Sequence, residues 1–162
     1  MRIVDMTSLT IDDVARLEEQ CFSHPWSRDS IEESFNNPYA FFFVAKDDDN
    51  KVVGYMSYYI VRDEAFVYNV AVDENCRRQG IGHALVEHAV NHAKDNGASF
   101  LSLEVRVSNA AAIALYSSFD FEIEGSRKKF YRDPVEDALI MTCHFEQAHV
   151  FDPNVEADIK IL

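Results

Sequence analysis

The chain has 162 residues, of which 48% are hydrophobic and 27% charged. That length fits one domain with a core large enough to need no disulfide staple, and the composition is not that of a disordered protein. The formal net charge of -13 argues against direct binding to nucleic acid, whose phosphates it repels; it fits a basic protein or peptide partner, or simply solubility.

The apolar runs Tyr39–Ala45 and Val52–Val61 are too short or too interrupted to span a bilayer, so no membrane role is expected. Asp5 and Asp12 interrupt any signal-like segment. Cys21, Cys76 and Cys143 are odd in number and widely spaced, which excludes a fully paired framework and a CxxC site. A cytoplasmic protein is the simplest expectation.

In chain order, Thr10-x-x-Asp13 reads as a variant helix cap, with Val14, Leu17 and Cys21 following at helical spacing. His24-Pro25-Trp26 breaks that helix, because proline disfavours α geometry in the residue before it. Ser27 then caps a short helix carrying Ile31 and Phe35, ended by Asn36-Asn37-Pro38. Strands are predicted over 39–46 and 51–60, with Asp47-Asp48-Asp49-Asn50 as a hairpin turn. The glycine and distal glutamate of a calcium loop are missing there. Arg62-Asp63-Glu64 turns the chain into a strand over 65–72. After Gly82 a helix carries Leu85, Val86, Ala89, Val90 and Ala93 toward a core, with Gly97 at its C-terminal end. A strand over 100–107, an Asn109-capped alanine-rich helix to about Ser118, and strands over 121–126 and 138–145 complete the domain. The order α-α-β-β-β-α-β-α-β-β predicts a mixed α/β sheet, with parallel neighbours in the middle, antiparallel flanks and helices on both faces. Residues 1–145 form the domain. Residues 146–162 read as a C-terminal tail, either frayed or docked through Val150, Phe151, Ile159 and Leu162.

Arg77-Arg78-Gln79-Gly80-Ile81-Gly82, between a strand and a helix, is the most informative segment. Glycines at a helix N-terminus bring backbone N–H groups close to an anion, so a phosphate-bearing ligand is expected. The Lys-Ser/Thr of a P-loop is absent, and Leu85 stands where the dinucleotide fingerprint needs its third glycine. The segment resembles the acyl-CoA pyrophosphate loop of the Gcn5-related N-acetyltransferase (GNAT) family. The resemblance covers residues 2–145 and is strongest toward the family's ribosomal-protein alanine N-alpha-acetyltransferase branch. Pro25-Trp26-Ser27, Asn69 to Asp73, Arg77 to Gly82 and, above all, Leu103 to Tyr116 carry it.

The resemblance implies a GNAT-type, mostly antiparallel sheet whose central parallel pair splays to admit acetyl-CoA, with no metal. It implies that Val70, Ala71 and Val72 pair with the pantetheine, that amides from Arg78 through Gln79, Gly80, Ile81, Gly82 and His83 hold the pyrophosphate, and that Asn109 contacts the cofactor. Glu104 is implied as general base and Tyr116 as proton donor to the departing thiolate, both chemically suited to those roles. Trp26 and Tyr131 are expected at the acceptor. An N-terminal amine suits a lone carboxylate base better than lysine, because far more of it is neutral near pH 7. A ribosomal protein is the expected acceptor, the rivals being a lysine, polyamine or other small amine, or a non-catalytic acyl-CoA-binding module. Structural roles for Glu104 (pairing with Arg106 or Lys128) and Tyr116 (helix packing) are the alternatives.

The chain departs from the branch in three places. Phe119-Asp120 replaces a usual Leu-Gly, the 129–137 loop bordering the peptide site looks short, and the tail is extra. His88 and His92 have metal-ligand spacing but lack the glutamate of HExxH, and are expected on a solvent face. Arg127-Lys128-Lys129 reads as a solvated turn, or as a contact for a CoA 3′-phosphate or an acidic substrate.

Overall fold

The computed structural model describes residues 1–146. The expected tail, with its docking residues, therefore lies outside the described residues apart from Glu146. In chain order the elements are β1 (Arg2–Asp5), α1 (Ile11–Cys21), α2 (Arg28–Phe35), β2 (Ala40–Lys46), β3 (Val52–Val61), β4 (Glu64–Val72), α3 (Ile81–Asp95), β5 (Phe100–Arg106), α4 (Ala110–Ser117), β6 (Glu122–Tyr131) and β7 (Glu136–His144). The seven strands form one sheet in the order β1-β2-β3-β4-β5-β7-β6. Among the described residues only β4 and β5 run parallel, and α3 is the crossover between them, as expected for a parallel pair.

Two hydrophobic clusters, one on each face, fix the layers. Ile11, Val14, Leu17 and Ile31 of α1 and α2 bury against Phe42, Val44, Tyr55 and Ala71. Leu85, Val86, Ala89, Val90 and Ala93 of α3 bury on the other face with Phe43, Met56, Tyr58, Leu101, Leu103 and Val105. Each buried Val, Leu, Ile, Phe or Met among them contributes about 1.5–3 kcal/mol over exposure. Gly54 lets α3 sit close to the sheet: a Cβ there would stand 3.0 Å from Ile81 Cγ2 and 3.1 Å from the Ala71 carbonyl oxygen.

Several expectations need correction. β1 was not foreseen; it is a short edge strand pairing antiparallel with β2. Thr10 precedes α1, but its hydroxyl donates back to the Thr7 carbonyl instead of capping the helix. The 121–126 strand extends to Tyr131, because two register shifts carry β6 past Gly125 and Arg127. The basic run Arg127–Lys129 is thus strand, not turn, and most of the supposed 129–137 loop is β-hairpin. His88 and His92 do not lie on a free solvent face. Both are half-buried and pack edge-on against Phe43, and His92 also hydrogen-bonds Tyr58. The side chains of Ser27 and Asn109 do cap their helices, accepting from the amides of Ser30 and Ala112. Asp120 adopts the left-handed turn (φ 64°) that the usual glycine would.

Candidate active site

The parallel pair does not stay paired. β4 and β5 are in register only at Glu64/Phe100, Ala65/Leu101 and Phe66/Ser102, and beyond these rungs the strands part. A bulge starts the divergence: on the β3 side the register passes from Asn69 opposite Ser57 to Val67 opposite Tyr58, leaving Tyr68 as an extra residue. Bulges bend the strand that carries them. The result is a cleft of about 770 Å³ lined on one side by Val67 to Val70 and on the other by Leu103 to Arg106.

On the β4 side, the Asp73 amide donates to the Val53 carbonyl and Ala71 stands opposite Tyr55. Antiparallel ladders alternate the direction of the main-chain groups. Ala71 is therefore committed to β3, while Val70 and Val72 turn their main chain toward the gap. Consistent with this, the Val72 carbonyl accepts from Cys21 Sγ (3.4 Å) and Arg77 Nε (3.4 Å) rather than from a strand.

The loop after β4 leads into α3. Arg78 (φ 64°) and Gly80 (φ 80°) are both left-handed, and residues 77–80 are exposed. Gly80 occupies the N-cap position of a 15-residue helix with no side-chain cap, so the first-turn amides at Ile81, Gly82 and His83 have no intrahelical acceptor. Their partial positive charge favours an anion. His83 packs its ring on Phe119, 4.6 Å between centroids. These loop residues lie outside the 770 Å³ cleft lining, which includes only Val70 of the predicted donor-binding residues before α3 and Asn109 after it.

Glu104, Asn109, Tyr116, Trp26 and Tyr131 all line that one cleft. The alternation in Phe100–Arg106 explains Glu104: Leu101, Leu103 and Val105 are buried on the α3 side, so Glu104 faces the other way. Its carboxylate accepts from Arg127 Nε at 3.2 Å, a partner other than the Arg106 or Lys128 first considered. Tyr116 is 8% exposed. Burial, and secondarily Tyr131, pushes its phenol up to about 12, so it holds its proton at neutral pH.

The far wall consists of two connections. In the α1–α2 connection, Trp26 packs edge-on against Tyr68 at 5.1 Å. In the β6–β7 hairpin, Tyr131 lies beneath the Arg106 guanidinium, 4.4 Å from the ring centroid, and burial raises its phenol to about 12. Arg106 donates to the carbonyls of Arg132 and Pro134 and to Glu136. Glu136 in turn accepts from the Ser108 amide at 2.6 Å. His24 and Asp133, paired at 2.7 Å, join the two connections. Among the described residues no group of three or more His, Cys, Asp or Glu side chains could hold a metal ion, and no helix is long and apolar enough to cross a membrane.

Three participants in this architecture escaped the sequence reading. The sequence offers Arg106 only as a partner of Glu104, and Asp133 only as part of a loop. Glu18 is fully buried and lines the cleft. Its signal was present: it lies four residues after Val14, on the apolar stripe of α1, where a charge is out of place.

The comparisons agree with this geometry. Residues 11–121 match the family model described as the acetyltransferase (GNAT) family. A relative from Bacillus subtilis (strain 168) is 42% identical over 132 residues, covering 81% of this chain and 87% of its own. The [Ribosomal protein bS18]-alanine N-acetyltransferase of Escherichia coli (strain K12) is 38% identical over 127 residues, covering 77% of this chain and 84% of its own. The crystal structure of the ribosomal-protein-S18-alanine N-acetyltransferase from Escherichia coli superposes with a TM-score of 0.84 at 32% identity, covering 93% of this chain and 97% of that one. Ard1 from Thermoplasma volcanium follows at 0.82 and 25%, covering 90% and 98%. The splayed parallel pair, the glycine-opened helix and the match over most of the chain make this protein a member of the GNAT family and an N-acetyltransferase.

Proposed function

We propose that this enzyme transfers an acetyl group from acetyl-CoA to the α-amine at the N-terminus of a protein, a ribosomal protein being the expected class, in the cytoplasm. The parting of β4 from β5 after Phe66 and Ser102, with Glu104 and Tyr116 lining the gap, carries the reading. The residues present fit acetyl-CoA. Val70 and Val72 turn main chain toward the gap, where an amide-bearing arm could pair with it, the amides from Arg78 to His83 suit a pyrophosphate, and Asn109 lines the cleft together with Val70.

When bound, acetyl-CoA supplies the thioester carbon that the amine attacks. Glu104 takes the amine's proton on a carboxylate oxygen, directly or through one water. Tyr116 Oη supplies a proton to the sulfur side of the site, and its raised pKa keeps that proton available at neutral pH. The main-chain amide near Val70 is the donor for the developing oxyanion. Trp26 and Tyr131, on opposite connections, flank the acceptor chain. An α-amine, with a pKa of ~7.7–8.0, is partly neutral near pH 7.5, whereas lysine at ~10.4 is almost wholly charged, which suits a single carboxylate base. The net charge of -13 attracts basic acceptors. The names of the relatives from Escherichia coli point to a ribosomal protein.

The test is thiol release with three acceptors: a basic peptide with a free N-terminus and no lysine, a blocked peptide with one lysine, and a polyamine. Release with the first alone is expected. Turnover confined to the second or third would move the acceptor to a side-chain or small amine.

A further inference from the structure

Glu18 has no part in the acetyl-transfer scheme, yet it is the best-bonded carboxylate near the cleft. One of its oxygens, Oε1, accepts from Asn69 Nδ2 at 2.8 Å and from the Tyr55 hydroxyl; the other, Oε2, accepts from the Trp26 amide at 2.9 Å. These donors come from β4, β3 and the α1–α2 connection. All three partners donate to the ionised carboxylate, and on protonation one of these bonds would have to reverse, with the Tyr55 hydroxyl turned to accept. Burial pushes the Glu18 carboxyl up, and the three hydrogen bonds oppose that shift. A buried charge is costly unless it is paired, and an aliphatic residue at this position on the α1 stripe would fill the core without that cost.

The partners are placed in a telling way. Asn69 directly follows Tyr68, the extra residue of the bulge, and the Tyr68 ring packs on Trp26. Glu18 thus ties down both members of the Trp26–Tyr68 contact, one through its own amide and the other through the neighbouring residue. The loop closes: Glu18, Asn69, Tyr68, Trp26 and back to Glu18.

We propose that Glu18 is a positioning residue for the acceptor amine. It locks the α1–α2 connection and the β4 bulge into one rigid wall, so that Trp26 and Tyr68 hold the acceptor against Glu104 on the opposite strand. The proposal rests on the acetyl-transfer reading for its kinetic consequence but not for its structural one. Misplacement of an acceptor by about 1 Å can cost a hundredfold.

In Glu18→Gln, kcat/KM for the acceptor should fall by about tenfold to a hundredfold with a raised acceptor KM, while acetyl-CoA affinity stays within about twofold. Asn69→Ala should move KM the same way by less. The double variant Glu18→Gln with Asn69→Asp should recover most of the loss, because residue 18 then donates where it formerly accepted. Trp26 is the chain's single tryptophan, so its fluorescence reports the wall without turnover. Glu18→Gln should shift its emission and raise its quenching by acrylamide. Unchanged fluorescence and unchanged acceptor KM would overturn the proposal even if the melting temperature fell, as would equal losses of acceptor and acetyl-CoA affinity or a double variant no better than Glu18→Gln alone. If Glu18→Gln does not fold, Asn69→Ala decides by the same two readouts. Inactivity of the wild type with every amine would sink the acetyl-transfer reading instead, and the fluorescence comparison would still judge the positioning of Trp26.

Discussion

The proposed donor and acceptor regions are made of different materials. The proposed donor region is backbone: the main chain of Val70 and Val72 turned toward the gap and, outside the cleft lining, the uncapped amides where α3 begins. The proposed acceptor end is side chains from two connections more than a hundred residues apart in sequence, Ser23–Trp26 and Tyr131–Pro134, joined by the His24–Asp133 pair and by Ser23 Oγ donating to the Arg132 carbonyl. Backbone recognition depends on local conformation, so a short motif can announce it. Side-chain recognition depends on long-range register, and no short motif encodes that.

Glu104 stands between the two ends and should give the largest effect. Glu104→Gln should lower kcat by about a hundredfold to ten-thousandfold with acetyl-CoA binding retained, as measured by steady-state kinetics and calorimetry. An unchanged kcat would leave the cleft without its base. At the donor end, Gly80→Ala meets no atom within 4 Å, so its cost is conformational. An L-residue held left-handed costs about 1–2 kcal/mol, and acetyl-CoA affinity should weaken by about fivefold to thirtyfold while the acceptor KM at saturating donor holds. A shift in acceptor KM instead would erase the distinction between the ends. At the acceptor end, Asp133→Asn should raise the acceptor KM by no more than about fivefold, since exposed pairs are weak. A much larger rise would show that Asp133 acts on the acceptor directly.

The same contrast governs what the sequence disclosed. The glycine-opened helix, the Asn109 and Ser27 caps, the left-handed turn at Asp120 and the alternation that presents Glu104 are all local, and all were readable. β1 was missed because four residues carry too little pattern. β6 was cut short because two register shifts break its period of two, with Lys129 at φ 52° inside the second. Arg127 as the partner of Glu104 follows only from that corrected strand. Glu18 was visible as a charge on an apolar stripe, but its three donors come from segments that only the folded chain brings together. His88 and His92 packed inward because Phe41 and Phe43 of β2 meet them across the α3 face, a contact that helix periodicity cannot show.

The three rungs between β4 and β5 give the sheet an edge in its own middle. Sheet edges ordinarily lie at the periphery, where charge or a covering element protects them; this one faces inward across a slot. A thin ligand with amide groups that enters the slot would act as a surrogate strand, and a ligand that binds only the folded state stabilises it by an amount that grows with the logarithm of its concentration above Kd. The molecule should therefore register donor supply in its own rigidity, with amide exchange at Val70 and Val72 slowing as acetyl-CoA rises, while the outer strands of the sheet stay as they were.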